Sequence, residues 1–392
     1  MNPSSSSLIQ EICLENFLSF GSGAHSIPLQ NLNVLIGPNG SGKSNLIEAI
    51  VLLRAAATDV RPVILRGGGV QEWIWKGARK GTATVNAVIS HPTGHMPLRH
   101  LLAFQADGQR FHLFDERIEN AQPNPGEEVP YVYYHYQQGH PILNMNGKER
   151  SLTRQSVEPD LSILAQRKDP EAYPELAYLV DAYEQIRVYR EWAFGRNTIF
   201  RQPQRADMRK DRLEEDFSNL GLFLNRLRGV PTAKAAILAG LRDLYAGFDD
   251  FDISVEGGTV QVFFTEGSFV IPATRLSDGT LRYLCLLAIL CDPTPPKLIC
   301  IEEPELGLHP DILPKIADLL VDASQRAQLI VTTHSDILVD AMTERPESIL
   351  VCEKEAGQTE ISRLDPDQIA QWLEKYRLGE LWTNGELGGV RW

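Results

Sequence analysis

The 392-residue chain is short of cysteine, has no long apolar run, and carries no excess of basic charge. Its five cysteines, Cys13, Cys285, Cys291, Cys300 and Cys352, are scattered and lie mostly in apolar runs. That pattern excludes a disulfide framework and a zinc knot, and it predicts buried thiols in a reducing compartment. No stretch is long and apolar enough to predict a membrane span, so no membrane partner and a cytoplasmic location are expected. The start, Met1-Asn2-Pro3 and a run of serines, lacks the basic and apolar regions of a signal peptide and reads as a frayed tail. The nine histidines show no ligand spacing; His91, His95 and His100 cluster, but in a strand-and-turn region that does not predict a metal site. The net charge of −13 argues against a surface that coats nucleic acid as a whole. Sustained heptads are also missing, which excludes long coiled-coil arms.

What is present begins at Gly37-Pro38-Asn39-Gly40-Ser41-Gly42-Lys43-Ser44, a complete G-x-x-x-x-G-K-[ST] phosphate-binding loop. The apolar run Asn33-Val34-Leu35-Ile36 precedes it, and Asn45 to Ile50 follow with helical spacing. Strand, loop and helix are the context the motif requires. Its glycines let successive backbone N–H groups, from Asn39 to Ser44, converge on a phosphate, and the helix adds its positive end. Lys43 is placed to reach β- and γ-phosphates, and Ser44 to hold Mg²⁺.

Further on, Leu298-Ile299-Cys300-Ile301 reads as a strand buried on both faces and ends in Glu302-Glu303-Pro304. Glu302 is the candidate metal ligand, and Glu303 the candidate that orients or deprotonates the attacking water. Leu276-Ser277-Asp278-Gly279-Thr280 precedes an apolar helix, with Ser277 a good N-cap. Its hydroxyl and the first-turn amides, Gly279 included, form an anion site. If that site and the phosphate loop lie on different lobes, it serves a γ-phosphate held by another subunit. A second buried run, Gln328-Leu329-Ile330-Val331, ends in Thr332-Thr333-His334-Ser335, where His334 is a candidate γ-phosphate contact.

Together these pieces resemble an ATPase of the ABC type, similar to the RecF, SMC and OLD branch rather than to transporters. The resemblance rests on the loop at 37–44, Leu-Ser-Asp-Gly-Thr at 276–280, Glu-Glu-Pro-Glu at 302–305, Leu308-His309-Pro310 and Thr-Thr-His-Ser at 332–335. The opening segment Cys13 to Phe20 resembles that branch's first strand, near the adenine. Both ends of the chain carry the likeness; the middle carries it weakly. A Glu pair where the metal acid is usually Asp is a departure.

The resemblance implies an α/β P-loop fold with a mixed sheet, an antiparallel flank and an inserted helical lobe. It implies ATP and Mg²⁺ as ligands, and a glutamine loop for which Gln166 is the candidate metal contact, with Gln155 and Gln138 as alternatives. It implies an ATP-dependent homodimer in which each signature meets the partner copy's nucleotide, with Leu306 to His309 across the seam. Three roles follow: an ATPase in DNA repair or anti-phage defence that controls a separate effector such as a nuclease, a direct DNA-end or gap-binding ATPase, and, against the Glu-Pro-Glu and Leu-His-Pro sequences, a transporter subunit. OLD proteins continue into a nuclease domain, and none is expected in this sequence.

Along the chain, 1–160 reads as the strand-rich first part of the ATPase lobe, 161–250 as the helical lobe, and 251–392 as its second part. Alternating runs at Thr82–Ile89 and Arg110–Phe114 predict antiparallel strands. Two apolar stripes predict helices: Leu176, Leu179, Val180, Tyr183 and Ile186, and Leu213, Phe217, Leu220, Leu224 and Leu227. The segment Arg196 to Arg212 gathers six basic residues near Trp192 and Phe200, and reads either as a phosphate-contacting arm or as an exposed basic loop. The Gly-rich end from Leu378, with Trp382 and Trp392, reads as a tail folded on its own domain or a docking segment.

Overall fold

In the computed structural model the described residues are 7–389, apart from 79–80, 95, 138–139, 146–147, 152–156, 159, 194 and 246. Gln138, Gln155, His95 and Trp392 therefore lie outside the described residues. The chain forms two compact units, each discontinuous in sequence: Met1–Ile186 with Leu350–Leu364 and Leu387–Trp392, and Arg187–Ile349 with Asp365–Glu386. These limits cut across the boundaries expected at 160 and 250.

The first unit is built on an eight-stranded antiparallel sheet. Ala83–Ile89, Leu98–Asp107, Arg110–Asn120, Val132–Gln137, His140–Met145 and Lys148–Ser151 follow one another across it, and Ile9–Glu15 then His25–Pro28 lie beyond Ala83–Ile89. Ala83, Val85, Ala87 and Ile89 are buried while Thr84, Asn86 and Val88 are not, the period-two pattern of a half-buried strand. The strand Leu32–Ile36 is buried at every residue, and Ile349–Glu355 lies beside it, paired antiparallel with Gln358–Arg363. The helix Lys43–Ala56 leaves the phosphate loop with Leu46, Ile47, Ile50 and Leu53 buried.

The predicted helix around Leu176 is Pro174–Glu184, with Leu176, Leu179, Val180 and Tyr183 inside; Ile186 instead begins the strand Ile186–Tyr189. A fully buried polar group joins sheet to helix. His100 and Ser162 both meet Glu116 Oε1, at 3.2 and 2.5 Å, and Glu116 Oε2 accepts from Ile163 N at 2.9 Å. That carboxylate caps the short helix Ile163–Gln166.

In the second unit, Leu298–Glu302 and Gln328–Thr332 run parallel, and Ile186–Tyr189 flanks the former. The helix Asp278–Leu290 is buried at every residue from Leu281 to Leu290. Arg282 apart, this stretch is apolar all round, as fits a helix with neighbours all round. A separate antiparallel sheet combines Asp250–Glu256, Thr259–Glu266, Phe269–Pro272 and the short Gln204–Arg205. The expected helical lobe holds Leu220–Arg228 and Pro231–Leu244, but 190–219 is mostly irregular. Leu213 and Phe217 fall outside the helix their spacing suggested, because Phe217 takes φ of 61° and anchors Tyr189, Trp192 and Phe200.

The basic segment carries less free charge than its count suggests. Arg201 is buried, Arg205 pairs with Asp207 at 2.6 Å, and Arg209 with Asp211 at 2.5 Å. In the last helix, Leu378–Thr383, Leu378, Leu381 and Trp382 are buried, and Leu378 N donates to Thr343 Oγ1 at 3.1 Å. This part of the tail folds on its own unit.

Candidate nucleotide site

In the first unit the phosphate loop turns through three glycines with positive φ: Gly37 at 142°, Gly40 at 77° and Gly42 at 104°. Gly40 has open space around it and is required only for its backbone angle. Gly37 and Gly42 are required twice. An added Cβ would lie 2.2 Å from Cys352 O at Gly37, and 2.2 Å from Thr359 Oγ1 at Gly42. The loop is pressed so closely onto Ile349–Glu355 and Gln358–Arg363 that a side chain has no room.

A directed chain of hydrogen bonds fixes the loop's far side. Asn45 Nδ2 donates to Ser19 Oγ at 2.6 Å, Ser19 Oγ to Thr359 Oγ1 at 2.6 Å, and Thr359 Oγ1 to Ser41 O at 2.8 Å. The last bond sets the direction of the middle one, because the Thr359 proton is already committed. Sequence reasoning missed Thr359; nothing at that position marks it, since the contact is tertiary. Lys43 Nζ donates to Gly37 O at 2.8 Å and Pro38 O at 3.0 Å, so the ammonium is held inside the loop's curve. Asn39, Gly40 and Ser44 are exposed. Ser41 Oγ is buried with no hydrogen-bond partner among the described residues. A buried orphan hydroxyl, left-handed glycines and an enclosed ammonium together fit a bound phosphate.

Gln166 behaves differently. Its Oε1 accepts from Glu158 N at 2.7 Å, and its Nε2 donates to Leu161 O at 2.9 Å and Glu158 O at 3.1 Å. Both ends of the carboxamide are taken by the turn before it, so a metal contact by Gln166 requires those bonds to break.

In the second unit, the strand Leu298–Glu302 delivers the acid pair. Glu303 sits just past its end with φ of 48°, an angle that costs a non-glycine residue about 1–3 kcal/mol. Glu303 N donates to Thr332 O at 3.0 Å and Thr332 Oγ1 at 3.3 Å. His334 Nε2 lies 3.7 Å from Glu303 Oε1, so the two candidate catalytic side chains are brought together. Glu302 Oε1 lies 3.4 Å from Arg190 Nε.

Glu305, not assigned a role from sequence, accepts from Thr333 Oγ1 at 2.8 Å and His334 N at 2.7 Å. Burial raises its carboxyl above the usual range, against the lowering effect of these bonds. Ser277 caps Asp278–Leu290 by accepting from Thr280 N at 3.0 Å, as its sequence position predicts. Asp278 is held by Arg201 Nη2 at 2.6 Å, and the same guanidinium donates to Leu276 O at 2.5 Å. The Arg201 bond keeps the Asp278 carboxyl below its ordinary range. Gly279 passes close to Gly307, whose carbonyl would lie 3.1 Å from an added Cβ.

Fold and motifs define an ATPase of the ABC type, related to the SMC and RecF branch. The chain belongs to the family described as AAA domain, putative AbiEii toxin, Type IV TA system, whose sequence model matches residues 32–340. Among curated proteins it is similar to the chromosome partition protein Smc of Desulfitobacterium hafniense, 34% identical over 98 residues, which is 24% of this chain and 8% of that protein. It is also similar to structural maintenance of chromosomes protein 1 of Arabidopsis thaliana, 31% identical over 130 residues, 32% of this chain and 10% of that one. The chain thus spans a tenth or less of the length of these relatives.

Among solved structures, the SmcHead bound to the C-winged helix domain of ScpA matches with a TM-score of 0.56 at 18% identity, covering 93% of this chain and 99% of that one. An Smc head with an extended coiled coil, bound to the C-terminal domain of ScpA from Pyrococcus furiosus, matches with a TM-score of 0.53 at 16% identity over 94% and 99%. The shared fold is that of the SMC head. No helix among the described residues is long and apolar enough to cross a membrane.

Proposed function

We propose that the chain is an ATP-driven assembly switch. Two copies close around two ATP molecules, and hydrolysis lets them part. Backbone amides from Asn39 to Ser44 cradle the phosphates, and Lys43 neutralises the β- and γ-oxygens. Ser44 and Glu302 are the residues that would hold Mg²⁺, and the ion would supply charge neutralisation on the phosphates. Glu303 orients the attacking water and takes its proton, and His334 contacts the γ-phosphate. Ser277 and Gly279 read the γ-phosphate on the other copy. The observation that carries this reading is the Glu303–His334 approach at 3.7 Å in a chain that also holds a complete phosphate loop. If the purified protein neither hydrolyses ATP nor changes oligomeric state with it, the reading is wrong.

The biological setting we propose is DNA repair or defence against phage, with a separate effector such as a nuclease under the switch. The family's description, which names a toxin system, supports the defence side. The two Smc heads bound to ScpA domains supply a precedent for a second protein seated on such an ATPase. Direct binding of DNA ends or gaps is the second reading. Its strongest sequence support was the 196–212 segment, and the pairing of Arg205 and Arg209 with neighbouring aspartates weakens that support. Co-purification with an effector, against salt-sensitive binding of bare DNA, separates the two.

A further inference from the structure

Arg282 lies on the signature helix Asp278–Leu290, is 2% exposed, and takes no part in the roles given so far. Burying a guanidinium costs several kcal/mol unless it is well engaged. Its Nη2 donates to Glu303 O at 2.7 Å, and its Cζ lies over the Trp192 ring, 4.3 Å from the centroid. Trp192 in turn donates Nε1–H to Glu302 O at 2.7 Å. One stacked pair therefore holds the carbonyls of both acids in succession. The Glu303 amide is held from the other side by Thr332. The residue in the left-handed conformation is thus pinned at its amide and its carbonyl, and these bonds oppose relaxation to an ordinary angle.

We propose that Arg282, braced by Trp192, is a positioning residue that fixes the backbone of Glu303, and through it the direction of its carboxylate, so that turnover depends on Arg282 while nucleotide capture does not. The proposal rests on Glu303 being the water-orienting base. It also makes the signature helix the element that holds the same copy's base in place. Arg282 touches no reacting atom; it acts by preventing a displacement of the kind that costs roughly a hundredfold when it reaches 1 Å.

The test uses the full chain with four variants: Arg282→Met, Arg282→Lys, Trp192→Phe and Glu303→Gln. Steady-state kcat and KM are measured with ATP and Mg²⁺, and affinity with a fluorescent ATP analogue. Arg282→Met is expected to lower kcat at least tenfold, with analogue affinity within about twofold of the parent. Arg282→Lys, which keeps the charge and one reachable donor, is expected to recover part of that loss. Trp192→Phe keeps the stack, loses the donor to Glu302 O, and is expected to lower kcat by a smaller factor; it carries the test if Arg282→Met does not fold. A folded Arg282→Met with parental kcat, or with kcat and affinity lost together, overturns the proposal. Normal turnover by Glu303→Gln overturns the reading beneath it instead, so the two failures are distinguishable.

Discussion

The phosphate loop and the acid pair are built by opposite means. The loop is made by residues adjacent in sequence, and in the function proposed its phosphate contacts are largely backbone amides. Its supports, Cys352 O and Thr359 Oγ1, come from one hairpin. The acid pair owes its geometry to groups far apart along the chain. Trp192 and Arg282 hold the carbonyls, Thr332 holds the amide, and Glu305 holds the turn that carries His334. A site made of backbone tolerates most substitutions except those that add a side chain. A site made of convergent side chains is sensitive wherever one of them is removed.

The largest expected effect is at Lys43→Ala, which removes the only charged group of the loop motif; nucleotide binding is expected to weaken and turnover to fall at least roughly a hundredfold, read by analogue titration and phosphate release. Glu303→Gln is expected to slow hydrolysis by roughly a hundredfold or more while ATP stays bound. Binding and turnover would then separate along the division between the two regions, and a Glu303→Gln variant that lost binding as well would blur it. Gly37→Ala forces a methyl group to 2.2 Å from Cys352 O at a φ of 142°. Its expected signature is weakened nucleotide binding together with a stability loss of about 1–3 kcal/mol in denaturant unfolding.

Glu305→Ala leaves the His334 amide and the Thr333 hydroxyl without their acceptor, and is expected to lower stability by about 1–3 kcal/mol and kcat more than ATP affinity. Unchanged kcat there would show that the His334 turn holds itself. Smallest of all is Arg205→Ala, whose exposed partner is its near neighbour Asp207. No measurable change in melting temperature or turnover is expected, because such surface pairs contribute little.

The same division governs what could be read from the sequence. The loop, the strands Leu32–Ile36, Leu298–Glu302 and Gln328–Thr332, and the Ser277 cap all follow from local pattern, since period, glycine placement and capping chemistry are properties of neighbours. Arg282 carries no sequence signal, because in sequence it is one polar residue in an apolar helix. Only the fold shows the carbonyl and the indole that it meets. The spacing of Phe217 predicts a helix, and tertiary packing with three other rings overrides that pattern. The basic run at 196–212 reads as a surface arm because a count of charges does not show which arginines Asp207 and Asp211 pair with, nor that Arg201 is buried.

In the function proposed, ATP assembles the chain into a two-copy sandwich that Glu303 dissolves by promoting hydrolysis. The most direct test is the solution mass of Glu303→Gln with and without Mg²⁺ and ATP. A monomer alone and a persistent dimer with nucleotide are expected. A mass that stays monomeric at saturating ATP would contradict the sandwich, because Ser277 and Gly279 would then have no partner nucleotide to read.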